Sequence, residues 1–188
     1  MNLPNFLTIL RLAFAPAIVA LLLVETADSG SALRWYAGAL FTLTALTDLA
    51  DGALARRLDQ HTALGTLLDP VADKVLIAAV MLGLTATGDI AGWTLVPVLA
   101  ILGREFLISG LREHAAHIGG SVPVSGLAKW KTAVQMAAMA WLVVVPVDFA
   151  DVGFVGPAAL WVAGALTLIT GYDYLVGWRR REQDANDE

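Results

Sequence analysis

Four aspartates, Asp48, Asp51, Asp69 and Asp73, crowd one stretch of a chain that is otherwise poor in charge. Asp48 and Asp51 are three apart and Asp69 and Asp73 four apart, so each pair shares a face wherever its segment is helical. Two helices joined by a short link pack as antiparallel neighbours, an arrangement expected to bring both pairs to one place. A single aspartate at the centre of a bilayer costs about 2.5–3.5 kcal/mol on insertion scales. Clustered like charges add repulsion, so something positive must compensate. An all-oxygen carboxylate set suits hard divalent ions, Mg²⁺ or Mn²⁺. Two such ions shared among four carboxylates make a two-metal site for displacement at phosphorus. The chain has no cysteine, which excludes thiolate sites and disulfides. His61, His114 and His117 have no metal-type spacing and read as ordinary surface histidines. The plainer alternative for the acids is a helix-end charge cluster in water. Asp69, near an expected helix start, would then be a cap. Asp48 and Asp51, near an expected helix end whose dipole disfavours anions, have no such role.

The residues between the acids fit phosphate chemistry. Gly52 and Ala55 follow Asp51 without bulk, so a nucleotide or diphosphate can approach the backbone. Arg56 offers a planar donor fork for phosphate. Gly65 is expected in the loop before the next helix, serving a turn or a ligand. Lys74 is either an ion-pair partner of Asp73 or a phosphate contact.

The elements that must position these groups are apolar. Of 188 residues, 57% are hydrophobic and 15% charged, against roughly half and a quarter in a soluble domain. Mean hydropathy is +0.68, so lipid is part of the solvent. A helix crosses the hydrocarbon core with about 20 apolar residues, and six stretches qualify as candidates: about 5–24, 33–49, 69–86, 91–115, 127–147 and 153–178. The fold class expected is an all-α bundle of six transmembrane helices in one domain over 1–181, with 182–188 a disordered polar tail. The first stretch reads as a retained span: no Lys or Arg precedes it, Arg11 lies inside it, and no small-residue cleavage site follows. Orientation follows from Lys and Arg. Arg56, Arg57, Arg112, Lys129, Lys131, Arg179, Arg180 and Arg181 fall on the side of the two termini, and Arg34 alone on the other, which carries Glu25, Asp28, Asp89, Asp148 and Asp151. Both termini are therefore expected in the cytoplasm. The basic residues track topology and form no aromatic-interleaved patch, so nucleic-acid binding has no support.

The order Asp48-x-x-Asp51-Gly52-x-x-Ala55-Arg56, then Gly65-x-x-x-Asp69-x-x-x-Asp73 after eight residues, resembles the signature of the CDP-alcohol phosphotransferase family at all eight positions. Other segments are similar to the branch of that family that makes phosphatidylglycerophosphate in bacteria. These are Asn2-Leu3-Pro4-Asn5 with Thr8 and Arg11, Gly103-Arg104-Glu105, Ser109-Gly110-Leu111-Arg112-Glu113, Lys129-Trp130-Lys131-Thr132 and Gly171-Tyr172-Asp173-Tyr174. The resemblance implies a homodimeric six-helix enzyme of the bacterial inner membrane with a polar cavity open to the cytoplasm. It implies two divalent metals, Mg²⁺ or Mn²⁺, held by Asp48, Asp51, Asp69 and Asp73, with Asp73 also the base. It implies a CDP site lined by Gly52, Ala55 and Arg56 beside Asp48 and Asp69.

The implied reaction moves the phosphatidyl group of CDP-diacylglycerol to sn-glycerol 3-phosphate and releases CMP. The acceptor brings its own phosphate, so cations beyond the metals are expected, and Arg104, Arg112, Lys129 and Lys131 are the candidates. The rival reading of Arg112, Lys129 and Lys131 is that they only enforce topology. Other members of the family, taking inositol phosphate, serine or phosphatidylglycerol, share the core motif. An intramembrane prenyltransferase lacks the Gly-x-x-Ala-Arg segment. A cation transporter would place its acids at the midplane on paired broken helices, which this sequence does not suggest.

Overall fold

Every helix for which a buried face can be traced is apolar toward one end of the bundle. The computed structural model describes residues 3–28, 31–58, 63–117, 126–149 and 151–186; within these, side chains are described except at 3–5, 25–28, 31, 48–58, 63–67, 69, 117, 128 and 180–186. The chain forms α1 (Leu3–Asp28), α2 (Ser31–Leu58), α3 (Ala63–Ala86), a 3-10 turn (Gly92–Thr94), α4 (Leu95–His117), α5 (Gly126–Val144) and α6 (Val155–Asn186). Among the described residues there is no strand. Among the described residues, three segments are long and apolar enough to cross a membrane: Phe6–Val24, Gly92–Ala116 and Val155–Arg179.

Helix extents differ from the apolar stretches. α2 runs to Leu58, past the expected end near Leu49, and α3 begins at Ala63, ahead of Asp69. Hydropathy marks the lipid-facing part of a helix, whereas residues such as Ala, Leu and Arg after Asp51 propagate the helix beyond it. Asp48 and Asp51 therefore lie two to three turns inside α2, where the terminal dipole no longer acts. Asp69 lies within α3 and is not its cap, and Gly65 sits in the first turn of α3 and not in a loop. α6 also continues through 182–186, expected to be irregular, as a helix ending at Asn186. The four acids thus stand on two continuous helices, in the same-face spacing read from the sequence.

Among the described residues α1 packs extensively on both α2 and α3, while the expected direct pairing of α2 with α3 is not extensive. A link as short as 59–62 brings two helix ends together but leaves their axes free to splay around a third helix. The second group joins α6 to α4 and α5, and α2 meets α5 between the groups. Close approach rests on small residues, as expected where lipid tails compete equally for apolar surface. A methyl group at Gly38 of α2 would collide with the Val144 side chain of α5. One at Gly164 of α6 would lie 2.7 Å from Pro97 Cβ of α4.

The buried face of α1 runs Thr8, Arg11, Ala15, Ile18, Leu22, steps of three and four. It is polar where α1 begins and apolar beyond. α5 repeats the gradient with Lys131 and Gln135, then Ala138, Met139 and Leu142. α6 reverses it, from Leu160 and Ala163 to Thr167, Thr170 and Tyr174. Because neighbouring helices alternate in direction, the polar ends coincide. The interior is an apolar half, where Ile18, Leu76, Met81 and Leu142 are sealed from solvent, and a polar half.

The far end is closed by a buried ion pair. Arg34 Nη2 and Nη1 donate to Asp89 Oδ2 and Oδ1 at 2.6 and 3.2 Å. Asp89 also accepts from Thr87 Oγ1 at 2.6 Å and from the Val147 backbone N–H at 3.2 Å. Arg34 Nη1 reaches the Leu142 carbonyl at 3.4 Å. This bridge ties the start of α2 to the turn after α3 and the end of α5. Gly88, with φ of 87°, supplies the left-handed turn that ends α3 and presents Asp89.

Candidate active site

Asp73 is the one member of the acid quartet whose side chain is described, and it is half-buried on α3. Asp48, Asp51, Gly52, Ala55 and Arg56 are placed on α2 and Asp69 on α3 by their backbones, while their side chains lie outside the described residues. Among the described residues no three His, Asp or Glu side chains converge. Lys74 donates to the Pro70 carbonyl of its own helix at 2.7 Å. Pro70 has no N–H to offer the preceding turn, yet α3 runs on through it as one helix.

Facing this end of α3 is a chain of charges from α4, α5 and α6. Glu105 Oε1 accepts a short hydrogen bond from Lys131 Nζ and a longer one, 3.4 Å, from Arg104 Nη1. Lys131 is buried and within electrostatic reach of both Glu105 and Asp73. Arg104 is within reach of Glu105 and Arg112. Gly171 makes room for its stem: a methyl group there would come within 3.1 Å of Arg104 Cγ. Arg112 Nε donates to Tyr174 Oη at 3.2 Å, and its guanidinium carbon stands 5.4 Å from the centre of the Tyr174 ring. Lys129 is exposed. The structure therefore gathers Arg104 and Lys131 on Glu105, with Asp73 in electrostatic reach of Lys131, holds Arg112 at the edge of the group on Tyr174, and leaves Lys129 outside it. His114 lies on α4 with its ring 6.0 Å from that of Trp178, edge-on, and takes no part. His61 and the His117 side chain lie outside the described residues.

Chemically, the arrangement sets two cations on one carboxylate, Glu105, which keeps them from repelling each other, with the Asp73 carboxylate in electrostatic reach of Lys131. Such a place accepts an anion with a nearby hydroxyl. A model of the CDP-alcohol phosphatidyltransferase family matches residues 1–169.

The chain belongs to the CDP-alcohol phosphatidyltransferase family. The match takes in α1 to α5 and most of α6, so the acid-bearing helices and the cationic group both fall inside it. Relatives named CDP-diacylglycerol–glycerol-3-phosphate 3-phosphatidyltransferase align along nearly the whole chain. One from Rickettsia bellii is 42% identical, covering 92% of this chain and 93% of its own length. One from Shigella flexneri serotype 5b is 40% identical, covering 93% of each. One from Pseudomonas fluorescens is 38% identical, covering 100% of this chain and 96% of its own. Three residues of this family member's polar half had no role read from sequence. Glu105 and Tyr174 stood within motifs without a function, and Gln135 was passed over. The signal for Gln135 was present: it is one helical turn from Lys131 in an otherwise apolar helix.

Proposed function

We propose that this family member transfers the phosphatidyl group of CDP-diacylglycerol to the 1-hydroxyl of sn-glycerol 3-phosphate, giving phosphatidylglycerophosphate and CMP. The observation that carries the reading is that relatives covering 92% or more of the chain bear this activity in their names. The cations Lys131 and Arg104, with Asp73 in electrostatic reach of Lys131, support it, because the acceptor is a phosphate with a hydroxyl a few bonds away.

In this reading Asp48, Asp51, Asp69 and Asp73 hold two divalent ions, Mg²⁺ or Mn²⁺. The donor set fits such ions: carboxylates alone, paired in same-face spacing on two continuous helices. Bound there, the ions would supply charge neutralisation for a diphosphate and Lewis-acid polarisation of the bond that breaks. Gly52, Ala55 and Arg56 line the CDP site with Asp48 and Asp69. Lys131 and Arg104 hold the acceptor's phosphate, with Arg112 and Lys129 lending charge from the rim. Asp73 takes the proton of the 1-hydroxyl, from about 3 Å or through one water. The hydroxyl oxygen then bonds to the phosphorus that carries diacylglycerol. The bond from that phosphorus to the bridging oxygen breaks, and CMP leaves with its electron pair. Holding the hydroxyl in line contributes as much as removing its proton.

We place all six helices across the bacterial inner membrane, with both termini and the polar half toward the cytoplasm, and the enzyme as a homodimer. The basic residues support the orientation. So do exposed aromatics at both ends: Trp35, Trp93 and Phe154 near the Arg34–Asp89 bridge, Trp130 and Tyr172 at the polar half. Trp and Tyr prefer the headgroup level. A donor with its acyl chains in lipid then presents its diphosphate to Asp73.

The test is an acceptor screen on purified protein with CDP-diacylglycerol and Mg²⁺. CMP release is expected with glycerol 3-phosphate and not with inositol phosphate, inositol, serine or phosphatidylglycerol. Release with one of those alone would keep the family and replace the acceptor. For the cations, Lys131→Ala is expected to raise KM for glycerol 3-phosphate roughly tenfold to a hundredfold, the worth of a hydrogen bond to a charged group, with little change for the donor. Equal rises for both substrates would count against the assignment.

A further inference from the structure

Gln135 is an amide with no employment in the fold. It is 1% exposed, and its Oε1 is enclosed without a hydrogen-bond partner among the described residues. Its environment does not excuse this. The next buried residues along α5 are Ala138, Met139 and Leu142, which offer no polar group. A leucine or methionine would fill the same volume and leave nothing unpaired, whereas an unmet buried amide disfavours the folded state. A group that costs stability in the empty protein calls for a partner that arrives later.

Position says which partner. Gln135 is four residues from Lys131 on the same face of α5, about 6 Å further from the polar end. Lys131 is within electrostatic reach of Asp73, and Gln135 is the next buried polar side chain along α5. An acceptor whose phosphate rests on Lys131 and Arg104 lies against this face of α5, with Gln135 one helical turn away. Glycerol 3-phosphate has one polar group between its phosphate and its 1-hydroxyl, the 2-hydroxyl.

We infer that Gln135 is a specificity residue of the acceptor site, its amide oxygen accepting a hydrogen bond from the 2-hydroxyl of the acceptor. The inference rests on the proposed function and adds to it a reason why a three-carbon polyol phosphate is preferred to a simple alkanol phosphate. A site built around a buried hydrogen-bonding group rejects an analogue that lacks the matching group, because the protein's atom is then left unpaired.

The test uses 3-hydroxypropyl phosphate, which keeps the phosphate and the attacking hydroxyl and lacks the 2-hydroxyl. The full-length enzyme in detergent is expected to favour glycerol 3-phosphate over this analogue by about tenfold to a hundredfold in kcat/KM. Gln135→Met, of similar volume, is expected to bring that ratio close to one, to leave the KM for CDP-diacylglycerol in place, and to melt at the same temperature or higher. Gln135→Leu serves as the second variant. A ratio unchanged from wild type, or variants that both melt lower or fail to fold, would overturn the inference and make Gln135 a packing residue. Absence of CMP release from the wild type with glycerol 3-phosphate would overturn the function on which it rests, a result distinct from an unchanged ratio.

Discussion

Asp73→Asn is expected to lower CMP release from CDP-diacylglycerol by about 10²–10⁴-fold, the range contributed by a positioned general base. The substitution keeps the shape of the side chain and removes its charge and its basicity. It also weakens the acid quartet, so the loss should fall in kcat more than in the KM for glycerol 3-phosphate, whose phosphate we assign to Lys131 and Arg104. Asp73 reaches Lys131 electrostatically, and a modest rise in that KM is compatible with the account. A steady-state CMP assay at saturating donor, with thermal unfolding alongside to show intact protein, makes the comparison. Activity within tenfold of wild type would remove Asp73 from the role of base.

The second large effect lies at the opposite end and touches stability. Asp89→Ala is expected to destabilise the protein by about 3–5 kcal/mol, the cost of leaving one partner of a buried ion pair alone. The carboxylate holds Arg34 through two hydrogen bonds and also meets Thr87 and the Val147 N–H. Both side chains are nearly sealed, 6% and 4% exposed. The fall in Tm should be on the order of 10 °C for a chain of this size. The double variant Arg34→Met, Asp89→Leu should recover most of it, because an apolar pair of similar volume leaves no charge behind. Acceptor and donor KM should be unchanged in the folded fraction of either variant, since the bridge is at the end away from Asp73. A melting temperature within 2 °C of wild type, on the order of 1 kcal/mol or less by the same scaling, would mean that the bridge is open to water.

These two predictions mark what was legible in the sequence and what was not. The spacing of Asp48, Asp51, Asp69 and Asp73 is local, and a helix converts local spacing directly into a shared face. The acids therefore sit on α2 and α3 as their intervals require. Pairing across the chain was not. Arg34 and Asp89 are 55 residues apart, and each was counted only for its side of the membrane. Lys131 and Glu105 are 26 residues apart, and Glu105 looked like one more charge in a motif. Periodicity gives the face of a helix and says nothing about which helix it meets. That is also why α1 was not expected between α2 and α3. The ends of α2 and α3 were misplaced by a different cause: hydropathy reports depth in lipid, and both helices extend past the apolar zone with residues that form helix equally well in water.

The polar half of the interior was the least legible feature, because it belongs to no single segment. Thr8, Thr44, Gln135, Thr167 and Thr170 are each unremarkable in sequence, and only the alternation of helix direction collects them at one end. Once collected, they distinguish a bundle built to admit a hydrophilic substrate from one sealed throughout by Leu and Ile.

The measurement that tests the account most directly is the identity of the products formed from CDP-diacylglycerol and glycerol 3-phosphate labelled with ¹⁸O at the 1-hydroxyl. Attack at the phosphorus bearing diacylglycerol predicts phosphatidylglycerophosphate that retains the label, and an equal amount of unlabelled CMP, read by mass spectrometry. Phosphatidic acid accompanied by a labelled phosphodiester of CMP with glycerol 3-phosphate would place the attack on the other phosphorus and contradict the account.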